Sequence, residues 1–398
     1  PDFGAPSVSP LLNYLRRLRF HQSHESTPRA PIIIHCSAGV GRTGTLITID
    51  AMINRAKAES SVDVFNAVTI LRTQRQLMVQ TEMQYVFIHD ALLEALTASN
   101  TEVSAGGIHA YIKELEKVTN GQALFEEEYR KLPIGFTGSL NCTSAFSTHN
   151  IKKNRKANIV PYDRTRVKLV QRPGDHGSDY VNASFLDGYT TRRAFIATQG
   201  PLAHTAADFW RMIWEHDVGT IVMLCEQKEN GVETCSQYWP LRDSEPTTYE
   251  NFLIRLGEEM SMYDNKLRDR ELLLTNTTEK QFRKVRHLQY VGMEDDRLPQ
   301  NGSGILDLIG RVQGSQQSSG NNPIVVHDSV GVGRSGVFCA LTTAIERLKM
   351  EGCVDIFQTV KIMRTQRMGL VANPEQYFFI YTTILEYLDS FDTYANFK

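Results

Sequence analysis

A cysteine and an arginine with five residues between them, Cys36 and Arg42, lie in the run His35-Cys36-Ser37-Ala38-Gly39-Val40-Gly41-Arg42-Thr43-Gly44. A free thiol has a pKa of about 8.5, but cationic neighbours and a helix N-terminus lower it to roughly 3.5–7.5 and make it a nucleophilic thiolate. The arginine offers a planar fork of donors that matches two phosphate oxygens and stabilises charge on a transferring phosphoryl group. The pair suits attack by sulfur on phosphorus through a covalent cysteinyl-phosphate, with Ser37, Ala38, Gly39, Val40, Gly41 and Arg42 holding the oxyanion. A structural cysteine beside a surface arginine is the alternative, and the flanking sequence weighs against it.

The apolar stretch Pro31-Ile32-Ile33-Ile34 predicts a short buried strand. Residues 45–56, with Leu46, Ile47, Ile49 and Ile53, predict a helix. A glycine-bearing loop between strand and helix turns successive N–H groups inward, and the helix N-terminus adds partial positive charge. Thr43 can bond the Cys36 sulfur and ease its departure, or cap the helix. His35 can orient the loop or be a satisfied core histidine. No metal or cofactor is called for, because Arg42 and the amides carry the electrostatic load.

The chain repeats itself at a constant offset of 292 residues. Ser61-Val62-Asp63-Val64-Phe65 returns as Cys353-Val354-Asp355-Ile356-Phe357, and Arg72-Thr73-Gln74-Arg75 as Arg364-Thr365-Gln366-Arg367. Such a period means two copies of one domain, not a solenoid. The second copy has well over a hundred residues ahead of its loop, whereas 34 precede His35. This predicts residues 1–97 as the C-terminal part of a first domain, 98–107 as a linker rich in Thr, Ser, Asn and Gly, and 108–398 as a second domain. The predicted strand at 31–34 then lacks sheet neighbours and exposes an apolar edge. Residues 1–97 alone are expected to unfold without cooperativity. In the second copy, helices are predicted over 108–118, 123–132 and 208–214, and a buried strand over 220–224.

The run from His35 to Gly44 resembles the signature loop of the protein tyrosine phosphatases. Gln80-Thr81-Glu82-Met83-Gln84-Tyr85 resembles that family's water-positioning loop, and Pro1-Asp2-Phe3-Gly4-Ala5-Pro6 its mobile general-acid loop without the usual leading tryptophan. The paired layout is similar to receptor-type members of the alpha and epsilon kind. The resemblance implies an α/β fold, each copy a twisted mixed sheet flanked by helices, and hydrolysis of phosphotyrosine in proteins. It gives Asp2 the role of acid on the phenolic oxygen, and Gln80 and Gln84 that of orienting the attacking water. It implies phosphotyrosine-containing proteins as partners, contact between the two domains or a homodimer, and the cytoplasmic portion of a single-pass membrane receptor whose span lies upstream. A dual-specificity phosphatase, which shares the looser cysteine–arginine spacing, and a non-catalytic binding module are the rivals.

In the second copy the loop reads His327-Asp328-Ser329-Val330-Gly331-Val332-Gly333-Arg334-Ser335-Gly336. Asp328, in the cysteine position, puts fixed negative charge where a phosphate dianion would bind. Two unit charges 4 Å apart repel by roughly 4 kcal/mol at an effective dielectric of 20. Asp328 can instead pair with Arg334. By the resemblance, Ala372 stands for Gln80 and Gln376 for Gln84. Met293-Glu294-Asp295-Asp296-Arg297-Leu298-Pro299 replaces the acid loop without its Trp-Pro pair. Lys153-Asn154-Arg155 resembles the phosphotyrosine-recognition loop, with Lys156 where the family places a ring-stacking tyrosine. The expectation is a folded pseudophosphatase that acts by contact.

Composition sets outer limits. With 398 residues and 41% apolar content the chain can build two globular cores. A net charge of −2 without a long like-charge block argues against nucleic-acid binding by a basic surface. No run approaches the 18 or more apolar residues of a membrane span. Six cysteines without CxxC or metal-ligand spacing read as reduced thiols.

Overall fold

The computed structural model describes residues 8–24, 31–97, 101–119, 121–133, 141–242, 244–293, 298–320 and 322–395. The chain forms two compact units, Pro1–Thr101 and Glu102–Lys398.

The first unit is helical: α1 (Val8–His24), α2 (Gly41–Glu59), α3 (Val64–Gln74) and α4 (Glu82–Thr97). Its core gathers Leu12 and Leu15 of α1, Ile49 and Met52 of α2, Val64 and Val68 of α3, and Phe87, Ile88 and Leu92 of α4. Spacings of three and four residues put these side chains on one stripe of each helix. Arg19 of α1 bonds the Asp50 carboxylate at 2.8 Å through Nε and the Asp50 carbonyl at 2.8 Å through Nη2, tying α1 to α2.

The second unit is built on a nine-stranded mixed sheet. Its strands in chain order are β1 (Arg166–Lys168), β2 (Tyr180–Leu186), β3 (Phe195–Gln199), β4 (Thr220–Met223), β5 (Thr247–Tyr249), β6 (Phe252–Met262), β7 (Leu267–Asn276), β8 (Gln281–Tyr290) and β9 (Ile324–Asp328), arranged β5-β6-β7-β8-β4-β9-β3-β2-β1. The central β8/β4, β4/β9 and β9/β3 pairs are parallel, and the outer pairs antiparallel. Alternation along each strand splits the core in two. Val222, Val326 and Ala197 face the helices α5 (Ile108–Leu115), α8 (Ser303–Ser319), α9 (Gly333–Glu351), α10 (Ile356–Gln366) and α11 (Pro374–Ala395). Ile221, Val325 and Ile196 face α7 (Ala206–Glu215) with its buried Phe209 and Trp210. A short helix α6 (Leu124–Arg130) lies between α5 and the sheet in the chain.

The repeat is structural. Helices α2, α3 and α4 begin at the positions that α9, α10 and α11 occupy 292 residues later. The caps repeat too: the Asp63 side chain accepts from the Asn66 N–H, and Asp355 from the Gln358 N–H, both at 3.0 Å.

Three local expectations are corrected. Residues 31–34 form no strand: Ile33 is 90% exposed, while its counterpart Val325 lies at 0% in β9 between β3 and β4. A strand exists only with ladder partners, and among the described residues the first unit has none. The mixed sheet expected of each copy is therefore seen only in the second. The predicted helix over 108–118 stops at Leu115, and Val118 pairs with Ala123 in a small hairpin. The expected linker over 98–107 is partly built into the second unit: Val103–Ser104 pairs with Cys353–Val354, and the Ala105 N–H donates to the Gly352 carbonyl at 2.8 Å. No helix among the described residues is long and apolar enough to cross a membrane.

Candidate active site and its degenerate copy

The loop carrying Cys36 runs into α2, with Val40 in the N-cap position. Gly39 turns the backbone with φ +69°, a conformation that costs glycine little. The N–H groups of Gly39, Val40 and Thr43 act on the half-buried sulfur. The Cys36 pKa is lowered to about 6, chiefly by the Thr43 hydroxyl and the Thr43 N–H; burial opposes this, and the Gly39 and Val40 amides add to the lowering. The Thr43 hydroxyl is buried, makes no helix cap and has no hydrogen-bond partner of normal geometry, so its influence on the sulfur is one of proximity. Arg42 is exposed, as are His35, Ser37 and Ala38.

The glutamines come to the same place. A Cβ on Gly41 would stand 2.8 Å from Gln80 Oε1 and 2.9 Å from Gln84 Nε2, so both amides pack over the end of the loop. Gln84 Oε1 accepts the Gln80 N–H at 2.8 Å, and Val79 donates its N–H to the Val40 carbonyl at 3.2 Å. Val79 does so at φ +60°, a rare conformation for a β-branched residue. Asp2 lies outside the described residues.

Two arginines that sequence reasoning treated only as repeat markers prove to be braces. Arg72 donates to the Met78 carbonyl at 2.9 Å and the Val79 carbonyl at 2.7 Å, and Arg75 to the Ala38 carbonyl at 3.2 Å. Arg364 and Arg367 do the same in the second unit, at Leu370 and Val371 and at Val330 and Gly331. Arg367 also reaches Asn182 and Ser184 of β2. Recurrence of both arginines in a repeated Arg-Thr-Gln-Arg was the signal for these roles.

In the second unit Asp328 is fully buried. Its Oδ1 accepts the N–H groups of Val330 at 2.8 Å and Gly331 at 2.5 Å, and its Oδ2 that of Ser335 at 2.9 Å. Gly331 and Ser335 are the counterparts of Gly39 and Thr43, so a carboxylate of the chain occupies the amides that face sulfur in the first copy. Burial pushes the Asp328 pKa up, but Arg334 and the Ser335 and Gly331 N–H groups outweigh it and hold the carboxyl below its ordinary value. The Arg334 guanidinium grips Glu229 with both ends, at 2.6 and 3.0 Å, and donates to the Met293 carbonyl at 3.1 Å. The expected pairing of Asp328 with Arg334 is thus Coulombic, while the fork itself goes to Glu229, a residue the sequence did not single out.

Gln376 Oε1 accepts the Ala372 N–H at 2.9 Å, reproducing the Gln84–Gln80 bond without the first side chain amide. The basic run is not a solvated surface. Lys153 pairs with Asp208 at 2.8 Å, Asn154 Oδ1 accepts from the Tyr180 hydroxyl at 2.6 Å, and Arg155 donates to the carbonyls of Gly200, Pro201 and Glu233. Lys156 is exposed. Of the acid-loop counterpart, Glu294 to Arg297 lie outside the described residues.

A loop whose amides face a cysteine, braced by arginine and roofed by glutamines, is the candidate site of the first copy, and comparison with known proteins gives the family. The protein-tyrosine phosphatase family model matches residues 1–94 and 150–386. The chain is 46% identical over 399 residues to receptor-type tyrosine-protein phosphatase S of Gallus gallus, covering 99% of this chain and 26% of that protein. It is 45% identical to tyrosine-protein phosphatase Lar of Drosophila melanogaster, over 100% of this chain and 19% of that one. It is 43% identical to receptor-type tyrosine-protein phosphatase alpha of Mus musculus, over 100% of this chain and 48% of that one. The chain belongs to the protein-tyrosine phosphatase family, with tandem copies of the domain. It spans between about a fifth and a half of the length of these relatives.

Proposed function

We propose that the first copy hydrolyses phosphotyrosine in proteins through a cysteinyl-phosphate at Cys36, and that the second copy is a pseudophosphatase that acts by contact. The observation that carries this reading is the contrast between a sulfur whose pKa is lowered to about 6 by the Thr43 hydroxyl and N–H and by the Gly39 and Val40 amides, and a carboxylate that accepts the N–H groups of Gly331 and Ser335, the counterparts of Gly39 and Thr43, 292 residues later. Residues 1–97 are, in this reading, the C-terminal part of the catalytic domain.

The Cys36 thiolate attacks phosphorus, the P–O bond to the tyrosyl ring breaks, and Asp2 gives its proton to the departing phenolate. A phenol has a pKa near 10, so this proton is worth about 10²–10⁴-fold. Arg42 and the loop amides hold the three phosphoryl oxygens. Gln80 and Gln84 then orient a water on the cysteinyl-phosphate, the Asp2 carboxylate takes its proton, and the S–P bond breaks to release inorganic phosphate. The Thr43 hydroxyl stabilises the departing thiolate. In the second copy Asp328 excludes a phosphate dianion from the cradle by occupying its donors and by charge.

The test is turnover of a phosphotyrosine peptide and of the matched phosphothreonine peptide by the full-length protein. Hydrolysis of the first alone, lowered by about 10³-fold or more in Cys36→Ser, is expected. Equal hydrolysis of both would make the protein a dual-specificity phosphatase, and turnover that survives Cys36→Ser would remove the nucleophile.

A further inference from the structure

Two cysteines that the mechanism leaves unused meet beneath the signature loop of the second unit. Cys225 lies just beyond β4, and Cys235 follows a hairpin in which Lys228–Glu229 pairs with Val232–Glu233. The N–H groups of Thr234 and Cys235 both donate to the Gln227 carbonyl, at 3.0 and 3.3 Å, which closes the hairpin at its base. The Leu224 N–H donates to the His327 carbonyl at 2.8 Å, so Cys225 is set beside the end of β9. A Cβ on Gly200 would stand 3.0 Å from the Cys235 Cβ and 3.1 Å from the Asp328 carbonyl oxygen, so Cys235 is set against the same strand end. Both thiols are buried and free, and they lie within hydrogen-bonding reach of each other. The Cys235 thiol donates to the Ser236 carbonyl at 3.4 Å, which leaves its sulfur as acceptor for the Cys225 S–H. The same hairpin carries Glu229, which grips Arg334.

The histidine of that loop places an N–H beside the pair. Arginine has no acceptor, so Arg270 Nη1 donates to His287 Nδ1 at 3.2 Å. His287 then donates from Nε2 to the Tyr238 hydroxyl at 2.8 Å, and that hydroxyl donates to His327 Nε2 at 2.8 Å. A neutral His327 therefore keeps its proton on Nδ1. Nδ1 is buried with no hydrogen-bond partner of normal geometry among the described residues, and the Cys225 thiol is the group beside the ring. An N–H beside sulfur favours thiolate over thiol. It acts against the Cys235 contact and burial, which push the Cys225 pKa well up. The pair is thus stored as thiols, with one sulfur that a donor prepares to ionise.

We infer that Cys225 and Cys235 form a reversible disulfide, a redox site of the second unit that takes a hydroperoxide as oxidant and a small dithiol as reductant. The Cys225 thiolate attacks one peroxide oxygen, the O–O bond breaks, and hydroxide leaves, taking up the thiol proton as water and leaving a sulfenic acid on Cys225. The Cys235 sulfur attacks that sulfur, the S–O bond breaks, and a second water leaves with the Cys235 proton. Two thiols lose two electrons and two protons, and the peroxide is reduced. Thiols already in contact need to approach by roughly 2 Å to reach the bond length. Hydrogen peroxide is little larger than water and reaches such a place through local opening. The bond closes residues 226–234 into a ring and fastens the hairpin that holds Glu229.

The experiment is peroxide oxidation of the full-length protein, with aliquots blocked by N-ethylmaleimide in denaturant and their peptides mapped by mass spectrometry without reduction. A linked pair of peptides carrying Cys225 and Cys235 is expected, lost again on treatment with dithiothreitol. Cys339 is equally buried, with its pKa also pushed up by burial, and serves as the control. Cys225 and Cys235 should leave the maleimide-reactive pool together, at least about tenfold faster than Cys339. Cys235→Ala should leave Cys225 as a sulfenic acid that dimedone traps, and Cys225→Ser should leave Cys235 as slow as Cys339. If either variant fails to fold, the mapping of the unsubstituted protein decides alone. No link by the time Cys339 is oxidised, or loss of all three thiols at one rate, would mean that the pair reacts only on unfolding. A link from either cysteine to Cys36 or Cys142 instead would mean exchange between unfolded segments. Each of these would overturn the proposal.

Discussion

At the scale of single residues, one set of backbone amides serves two side chains of opposite consequence. Around Cys36 the Thr43 hydroxyl, with the N–H groups of Thr43, Gly39 and Val40, lowers a thiol to about 6, which favours thiolate at neutral pH. Around Asp328 the loop amides bind a carboxylate outright. Because the folded thiol pKa lies below the ordinary value, the thiolate fraction rises as pH rises through about 6. Alkylation of Cys36 by iodoacetamide should therefore follow a titration with its midpoint near 6. Thr43→Val, which removes the largest influence while keeping the shape, should move that midpoint upward towards the ordinary thiol range. A midpoint that stays put would assign the lowering to the amides alone. Cys36, Arg42 and Asp328 were legible from residue type and spacing. The role of Glu229 was not, because its partner is an arginine far away in the chain, and for Arg72 and Arg75 recurrence marked the residues but not the backbone carbonyls that they hold.

At the scale of elements, the loop-to-helix units are locally determined and the strands are not. Helices α2 and α9, α3 and α10 repeat in extent because caps, apolar stripes and glycines repeat, and these were readable in the sequence. Residues 31–34 have the composition of β9 but none of its neighbours, so their strand character stayed unexpressed. The signature loop of the second unit depends on Gly331, which sits at φ +76° with the Thr198 backbone where a Cβ would go. Gly331→Ala should lower the stability of the second unit by about 3 kcal/mol or more, read as a fall in its thermal midpoint. Gly352→Ala, at φ +66° but facing open space, should cost only about 1–2 kcal/mol. Equal costs would mean that the collision with Thr198 is relieved by loop movement.

At the scale of the whole molecule, the first copy has sulfur, both glutamines and an exposed arginine, whereas in the second Asp328 stands for the sulfur, Ala372 for one glutamine, Gln376 is kept with the same bond as Gln84, and Arg334 is buried against Glu229. The chain's family and tandem layout were legible because they rest on short motifs at fixed offsets. The most direct test of the proposed division of labour is rapid acid quenching of the full-length protein with a peptide carrying ³²P-labelled phosphotyrosine, followed by mapping of the label. The account predicts labelled Cys36 and an unlabelled second unit; label on the second unit, or on no residue at all, would contradict it.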